Sequence, residues 1–471
     1  MLPSFPPATA PPLRPIPGSY GPPLIGPLRD RLDYFWLQGP EEFFRRRAAT
    51  HRSTVFRANI PPTFPLFVGT DPRVVAVVDA AAFTALFDPA LVDKRDVLIG
   101  PYNPGAGFTG GTRVGVFLDT EEPEHQRTKA FSIHLLHRAA RVWAAEFRAG
   151  VCAMLDAVEA DLQKQPTSPA AFIVELQRCL FRFLCKALAG ADTAAEPFLD
   201  KNGFWILDVW LALQLVPTQQ VGLFQPLEEL LLHSFPLPSF PVAPLYNRLY
   251  RFVEKHGADA VALGETQYGL SKKDAINNIL FVLGFNAFGG FSVFLPFLIA
   301  EVGRPGDPTG IRPRLRDEVR RVLDGDLPNS MPLVRSTVYE VLRMRPPVPL
   351  QFGRARKDFV LRSHDAAFAV AQGELLCGYQ PLAMRDPQVF DRADDFVPDR
   401  FLGDKGQPLL DYLYWSNGPQ TGQPDPGNKQ CAAKDAVVDT ACMLIAELFR
   451  RYDDFEVQGV SFTKLHKRKT S

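Results

Sequence analysis

The sequence predicts a mainly α-helical fold with a small β region, built as one large domain. Of its 471 residues, 46% are hydrophobic, which is enough material for one extensive core. Apolar residues recur at helical spacing in long stretches such as 272–283 and 432–450, whereas the short runs 348–352 and 359–361 are strand-like. No Ser/Gly linker, charge block or internal repeat divides the chain, so we predict a single domain.

The overall composition excludes several classes of protein. The 52 basic and 52 acidic side chains balance, so the chain has no general attraction for nucleic acid. Its six cysteines have neither the Cys-x-x-Cys spacing of a zinc site nor the density of a secreted disulfide scaffold. We therefore expect reduced thiols and no nucleic-acid partner.

The N-terminal segment, residues 1–25, is rich in proline, and we place the single domain at 26–471. Prolines interrupt residues 1–30 so often that no transmembrane helix can form there. The segment has no acidic residue before Asp30, but it carries only two arginines and few hydroxyl groups. By composition it is a poor transit peptide.

The first element with a clear start is the helix that opens at Ser271. Ser271 can cap the free N–H groups, and Asp274 suits the first turn electrostatically. Further along this helix, Gly289 and Gly290 each lower helix propensity by about 1 kcal/mol relative to alanine. A gap beside the helix, roomy enough for a ligand, is the compensation that we expect.

A second helix is predicted from about Pro332 to Met344. Glu340 and Arg343 lie one turn apart on it, and two prolines follow its end. A further arginine, Arg400, occurs in a Pro-x-Arg-Phe segment. We expect these three charges to form a buried structural network that would be damaged by the loss of any one member.

Cys431 lies between a loop rich in glycine and proline, residues 415–430, and the final predicted helix. Free N–H groups at a helix N-terminus favour a thiolate. A thiolate in such a loop could ligate haem iron. Taken alone, an unpaired cysteine is more often a small buried hydrophobe.

In their order, the Glu-x-x-Arg pair, the Pro-x-Arg-Phe segment and the late cysteine resemble the cytochrome P-450 superfamily. The sequences Tyr414–Pro419, Asn428–Cys431 and Phe285–Phe291 are similar to those of its plant fatty acid hydroperoxide branch. That branch holds hydroperoxide lyases, allene oxide synthases and divinyl ether synthases. The resemblance runs from about Ile16 to Phe455 and implies the cytochrome P-450 fold.

The resemblance also implies a haem b cofactor with Cys431 as the axial ligand of its iron. The residues that match haem-contacting positions of the branch are Lys94, His125, Lys129 and Lys429. Haem carries two propionates, which need cationic or hydrogen-bonding partners in an apolar pocket. For each lysine taken alone, a solvated surface position is the alternative.

The helix that would cover the distal face differs from that of a monooxygenase. Between Leu280 and Pro296 it has no acidic residue and no threonine, and its only polar side chains are Asn286 and Ser292. A carboxamide cannot relay protons to iron-bound dioxygen. A substrate that already contains an O–O bond removes that need, so we expect no requirement for oxygen or a reductase. In the branch, the residue matching Asn286 positions the hydroperoxide; the alternative is an asparagine satisfied within its own helix.

Leu98 bears on which member of the branch the chain resembles. Allene oxide synthases read Lys-Arg-Asp-Leu-Phe where this chain reads Lys94-Arg95-Asp96-Val97-Leu98. Without an aromatic ring to favour a cation, the epoxyallylic radical would take the lyase route. The expected reaction cleaves 13-hydroperoxides of linolenic or linoleic acid, through a hemiacetal, into a six-carbon aldehyde and a twelve-carbon oxo-acid.

Other functions remain open at this stage. Allene oxide synthase is the nearest alternative, and a monooxygenase or a non-catalytic haem sensor are more distant ones. The sequence leaves open the preference for 9- or 13-hydroperoxides, the preference for linoleate or linolenate, and the oligomeric state. Ala433 stands where the superfamily commonly has glycine, and the glycines of 102–107 could loosen a loop that faces the substrate.

The expected location in the cell rests on the resemblance to the branch more than on the composition of the N-terminal segment. Members of the branch are plastid proteins, so we expect a plastid location, with association to the envelope as a further expectation. Residues 230–240 form an apolar stretch broken by prolines. This stretch could contact a membrane surface peripherally, form a lipid entrance or be a buried loop.

Overall fold

A computed structural model describes residues 12–63, 67, 69–165, 168–222, 224–323 and 331–468. Sixteen α-helices are assigned within these ranges. They are α1 Ile25–Leu32, α2 Pro40–His51, α3 Ala80–Phe83, α4 Pro123–Lys164, α5 Ile173–Leu184, α6 Pro197–Leu215, α7 Gln225–Leu231, α8 Ala243–His256, α9 Ala258–Tyr268, α10 Lys272–Phe281, α11 Gly290–Val302, α12 Ile311–Leu323, α13 Pro332–Met344, α14 Gln380–Ala383, α15 Gly403–Gly406 and α16 Lys434–Arg451. The predicted mainly helical architecture is confirmed.

The described strands form three small sheets. They are β1 Leu13–Arg14, β2 Val55–Asn59, β3 Arg73–Val77, β4 Val92–Asp93, β5 Ala170–Ala171, β6 Leu350–Ala355, β7 Phe359–Arg362, β8 Ala367–Val370, β9 Leu375–Tyr379, β10 Tyr452–Gln458 and β11 Ser461–Lys467. The largest sheet has the order β2-β3-β9-β6-β4, and only its β3–β9 pair is parallel. The two predicted strands correspond to β6 and β7.

The 42-residue helix α4 is the centre of the helical part of the fold. It packs against α5 on one side and against α16 on another. Its buried side chains, including Phe131, Phe147 and Val151, recur at three- to four-residue spacing, as expected for a helix with one apolar face. This packing fixes the final helix, and hence the cysteine loop that precedes it, relative to the rest of the domain.

The distal helix begins as predicted but is not regular throughout. Ser271 caps α10 by accepting a hydrogen bond from the Asp274 N–H at 3.1 Å. Between α10 and α11, residues Val282–Gly289 are π-helical, with a wider turn than an α-helix. The whole run, Lys272–Val302, is long and apolar enough to cross a membrane, but more than half of its most apolar stretch is buried in the protein.

The predicted charge network lies at the start of the segment that leads to the cysteine loop. Glu340 accepts hydrogen bonds from Arg343 Nε at 2.7 Å and from Arg400 Nε at 3.0 Å. Its other carboxylate oxygen accepts from the Val397 N–H at 2.8 Å. Glu340 and Arg343 are fully buried, so the prediction of a buried network is confirmed.

The described part of the Pro-rich segment contacts the domain. Leu13 and Arg14 pair with β8 in parallel, and Pro17 accepts a hydrogen bond from the Arg57 N–H at 2.9 Å. Ile16 is buried in the main core. Residues 1–11 lie outside the described part of the chain.

The charge network leads to a stability prediction. Glu340→Ala leaves two buried guanidinium groups without their carboxylate, so we expect a loss of about 3 to 5 kcal/mol in the free energy of unfolding. Denaturant unfolding followed by circular dichroism measures this loss, and little haem should be retained. The control is Glu42→Ala, which removes an exposed i,i+4 ion pair to Arg46 and should cost under about 1 kcal/mol. Equal losses in the two variants would contradict the structural role of Glu340.

Candidate active site

A cavity of about 710 Å³ lies in the interior of the domain. Its walls come from the distal helix, α6, the N-terminal part of α4, the segment after β4 and the cysteine loop. All seven residues predicted from the sequence line it: Lys94, Leu98, His125, Lys129, Asn286, Lys429 and Cys431. Residues separated by more than 300 positions in the chain are thus brought to one place.

The cysteine loop is held by main-chain hydrogen bonds. The Cys431 N–H donates to the Trp415 carbonyl at 3.3 Å, and Ser416 and Gln430 form an antiparallel bridge. Helix α16 begins at Lys434, two residues later than predicted, so Cys431 lies just before its first turn. Burial raises the pKa of the Cys431 thiol, while a hydrogen bond from the Ala433 N–H and the charge of Lys129 oppose that rise. These donors are suited to stabilise a thiolate once a metal ion binds the sulfur.

Two lysines enter the cavity with only carbonyl groups as partners. Lys94 donates from Nζ to the Phe352 carbonyl at 2.6 Å. Lys429 donates to three carbonyls at the N-terminal side of α4, the nearest being Leu118 at 2.7 Å. The pKa of each lysine is lowered to about 7, first by burial and next by the charge of a neighbouring lysine, which is Lys429 for Lys94 and Lys129 for Lys429.

His125 and Lys129 lie on one face of α4, as their spacing predicts. Lys129 donates from Nζ to the carbonyl of Gln430, the residue before the cysteine. Burial lowers the pKa of His125 to about 4, with Lys429 and Lys129 as the next causes. His125 Nδ1 is buried and has no hydrogen-bond partner among the described residues.

Haem fits the chemistry of this group of residues. No carboxylate oxygen of the described chain lies within 4.0 Å of the Nζ of Lys94, Lys129 or Lys429, although the Asp119 carboxylate accepts a hydrogen bond from the main-chain N–H of Lys94 at 2.8 Å. Positive charges held close together in a poorly solvated space are stabilised when a dianion binds among them. The two propionates of haem would supply that charge. Cys431 lines the same cavity and would provide the sulfur ligand for the haem iron. Sequence reasoning missed Trp415, whose buried indole N–H lines the cavity without a partner among the described residues, because an indole carries no charge signal.

Asn286 presents its side chain to the cavity from the π-helical stretch. It is exposed, and its carboxamide makes no hydrogen bond to a described protein group, so the alternative of an asparagine satisfied within its own helix is not what the structure shows. A Cβ built on Gly290 would meet no atom within 4 Å, which matches the predicted gap. Gly289, by contrast, is in close contact with Leu211.

Leu98 belongs to an apolar cluster beside Asn286. We define the Leu98 cluster as Phe67, Ile99 and Tyr102 with the partly buried Leu98, Leu215 and Phe285. Tyr102 opens the segment 102–107, whose glycines could loosen the loop. Tyr102 itself is buried, and Asn103 donates a hydrogen bond at 3.1 Å to Asp96, two residues before Leu98.

Two polar residues at another part of the cavity, Asp208 and Gln177, were not predicted from the sequence. Asp208 on α6 accepts a hydrogen bond from Gln177 on α5 at 3.1 Å, and both residues line the cavity. Burial raises the pKa of Asp208 to about 6. Only the tertiary packing of α5 against α6 brings these two residues together.

The helical fold, the Glu340 network and the half-buried cysteine near cationic groups define a haem-thiolate protein. A model of the family Cytochrome P450 matches residues 310–421. The solved structure of cytochrome P450SP alpha in complex with (R)-ibuprophen has a TM-score of 0.64 and 17% identity, covering 94% of this chain and 98% of that one. At that identity the likeness shows the fold alone.

Similarity to named plant proteins identifies the branch of the family to which the chain belongs. The chloroplastic linolenate hydroperoxide lyase of Arabidopsis thaliana is 54% identical over 94% of this chain and 90% of that protein. A protein of the same plant called "Probable inactive linolenate hydroperoxide lyase" is 53% identical over 77% of this chain and 95% of its own length. The chloroplastic allene oxide synthase of Arabidopsis thaliana is 41% identical over 97% of this chain and 89% of that protein. The chain belongs to the plant hydroperoxide lyase and allene oxide synthase branch of the cytochrome P450 family.

The lysine arrangement gives a prediction for cofactor retention. Lys429→Gln removes one of the buried positive charges that oppose the propionates, so haem should dissociate roughly tenfold faster. Transfer of haem to excess apomyoglobin measures the rate. Lys201→Gln, at an exposed position on α6, is the control and should leave the rate unchanged. Equal rates in both variants would remove Lys429 from the haem site.

Proposed function

We propose that the protein is a fatty acid hydroperoxide lyase that cleaves 13-hydroperoxides of linolenic and linoleic acid without oxygen or a reductase. The single observation that carries this proposal is the distal wall of the cavity. There, the free carboxamide of Asn286 lies beside the Leu98 cluster, in a helix whose residues 281–295 include no acid and no threonine. Such a wall can orient a peroxide, but it offers no acid–alcohol pair to protonate dioxygen.

The reaction is redox-neutral, because the substrate brings its own oxidant. The O–O bond and one C–C bond of the hydroperoxide break, and all atoms remain in a hemiacetal that yields two carbonyl products. Haem, when bound through Cys431, supplies the iron that cleaves the O–O bond. Asn286 has both donors and an acceptor with which to hold the two peroxide oxygens in place. The apolar lining around it excludes water from the radical that forms on the substrate.

Leu98 favours the lyase over the synthase. Both reactions pass through an epoxyallylic radical, and a synthase must oxidise that radical to a cation. An aromatic face near the radical would stabilise the cation, whereas an aliphatic side chain does not. The higher identity to a protein called hydroperoxide lyase, 54% against 41% for an allene oxide synthase, supports the same choice.

We place the protein in the plastid, as the word "chloroplastic" in the names of its relatives supports. We further propose peripheral contact with a lipid surface. Two neighbouring segments expose large apolar side chains, and a salt bridge of 2.7 Å between Arg31 and Glu229 joins them. The exposed residues are Leu24, Ile25, Leu28, Leu37, Val221, Phe224, Leu227, Leu230, Leu231 and Phe240.

Product analysis tests the proposed function. The purified, haem-loaded protein is incubated with the 13-hydroperoxide of linolenic acid, and the products are identified by mass spectrometry. Hexenal and a twelve-carbon oxo-acid are expected. Ketols derived from an allene oxide would instead establish the synthase. Unchanged substrate would contradict both, a result that matters because one close relative is named as probably inactive.

Asn286→Ala should slow hydroperoxide consumption roughly 10- to 100-fold, since the peroxide loses its orienting hydrogen bonds. Loss of the conjugated-diene absorbance measures the rate, and an unchanged Soret band shows that haem is retained. Asn202→Ala, at a half-exposed position on α6, is the matched control. A wild-type rate in Asn286→Ala would end the proposed role.

Leu98→Phe should raise the yield of ketols at the expense of aldehydes, because the aromatic face would favour the cation. Leu98→Met keeps an aliphatic side chain of similar volume and should leave the product ratio unchanged. Chromatographic separation of both product classes gives the ratio. If Phe and Met variants give the same ratio, Leu98 does not select the reaction path.

A further inference from the structure

One face of α6 forms a continuous wall of the cavity. Asp208, Leu211, Ala212 and Leu215 all line it, at the i, i+3, i+4 and i+7 spacing of a single helix face. Leu215 belongs to the Leu98 cluster. Asp208 is seven residues away, which at 1.5 Å per residue is about 10 Å along the helix. The wall therefore runs from the Leu98 cluster at one end to a carboxylate at the other.

Asp208 is the only carboxylate among the described residues that line the cavity. Its hydrogen-bond donor is the neutral Gln177, and no cation of the described chain lies within 4.0 Å of it. The three lysines that line the cavity, and His125, lie on α4, the segment after β4 and the cysteine loop, where haem would bind, and none is on α5 or α6. A second carboxylate placed beside Asp208 would thus meet a like charge in a poorly solvated space, without a compensating cation.

The two positional isomers of the substrate differ in which end would reach that carboxylate. In each hydroperoxide of linoleic acid, the hydroperoxide carbon has the conjugated diene on one side and a saturated arm on the other. The arm is five carbons long and ends in a methyl group in the 13-isomer. In the 9-isomer it is eight carbons long and ends in the carboxylate. Leu98 can act on the allylic radical only if the diene lies at the Leu98 cluster, so the saturated arm points along α6 toward Asp208.

We propose that Asp208 is a specificity-determining residue that rejects 9-hydroperoxides by repelling the carboxylate at the end of their saturated arm. The inference rests on the proposed function, since it assumes a fatty acid hydroperoxide bound at Asn286. Asp208 takes no part in bond breaking, and Gln177 positions its carboxylate. A methyl-terminated arm carries no charge and enters the same space freely.

Equilibrium binding tests the proposal without requiring turnover. The probes are the 9- and 13-hydroxy analogues of the linoleic acid hydroperoxides, each as free acid and as methyl ester. Perturbation of the Soret band of the haem-loaded protein gives each dissociation constant. For the wild type we expect the 9-isomer to bind about tenfold more weakly than the 13-isomer as free acids. As methyl esters the two should bind equally.

Two variants of Asp208 complete the test. Asp208→Asn removes the charge and should bring the two free acids to equal affinity, whereas Asp208→Glu keeps the charge and should preserve the tenfold difference. If the acid and ester pairs give the same ratio in the wild type, the proposal is overturned, whether or not the variants fold. The Asn286 and product experiments can fail independently, because the binding ratio does not depend on which products are formed.

Discussion

The structure depends on the burial of several positive charges next to a thiol. Lys94, Lys129 and Lys429 line a largely apolar cavity with main-chain carbonyls as partners. Burial lowers the pKa of all three, and the charges of Lys429 and Lys129 add to the lowering at Lys94 and Lys429, respectively. Such an arrangement is unfavourable unless a dianion of the right shape occupies the space. The two propionates of haem provide that anion. The rest of the proximal side, from the Glu340 network to α16, holds the cysteine against the same space.

The distal side of the cavity has a different task in the proposed function, which is to hold a peroxide without supplying protons. Widening of the helix over Val282–Gly289 places Asn286 at the cavity, and its carboxamide stays unpaired with the described protein groups. The Leu98 cluster bounds one side of the same space and Asp208 bounds the other. In the proposed function, peroxide orientation, reaction path and substrate polarity depend on three different parts of this cavity: Asn286, the Leu98 cluster and Asp208.

Local signals made much of the fold and site predictable. Proline residues bracket α13, so its bounds, Pro332–Met344, agree with the predicted ones. The i,i+3 spacing of Glu340 and Arg343 predicted their contact, and the family resemblance identified the lysines as expected haem contacts. The π-helical stretch could not be predicted, since no local sequence signal marks it; in the structure, α6 lies so close that a Cβ added at Gly284 would meet Leu207 and one at Gly289 would meet Leu211. Asp208 and Trp415 were missed because their importance arises only when distant segments meet.

The most direct test of the account is whether the oxidant is the hydroperoxide itself or dioxygen activated with electrons from a reductase. The rate of 13-hydroperoxide consumption by the haem-loaded protein should be measured under argon, without reductant, and again in air with a reductase and reduced nicotinamide. The account predicts equal rates, because the peroxide supplies the oxidant and the distal helix does not activate dioxygen. Turnover that requires oxygen and reductase would contradict it and would indicate a monooxygenase.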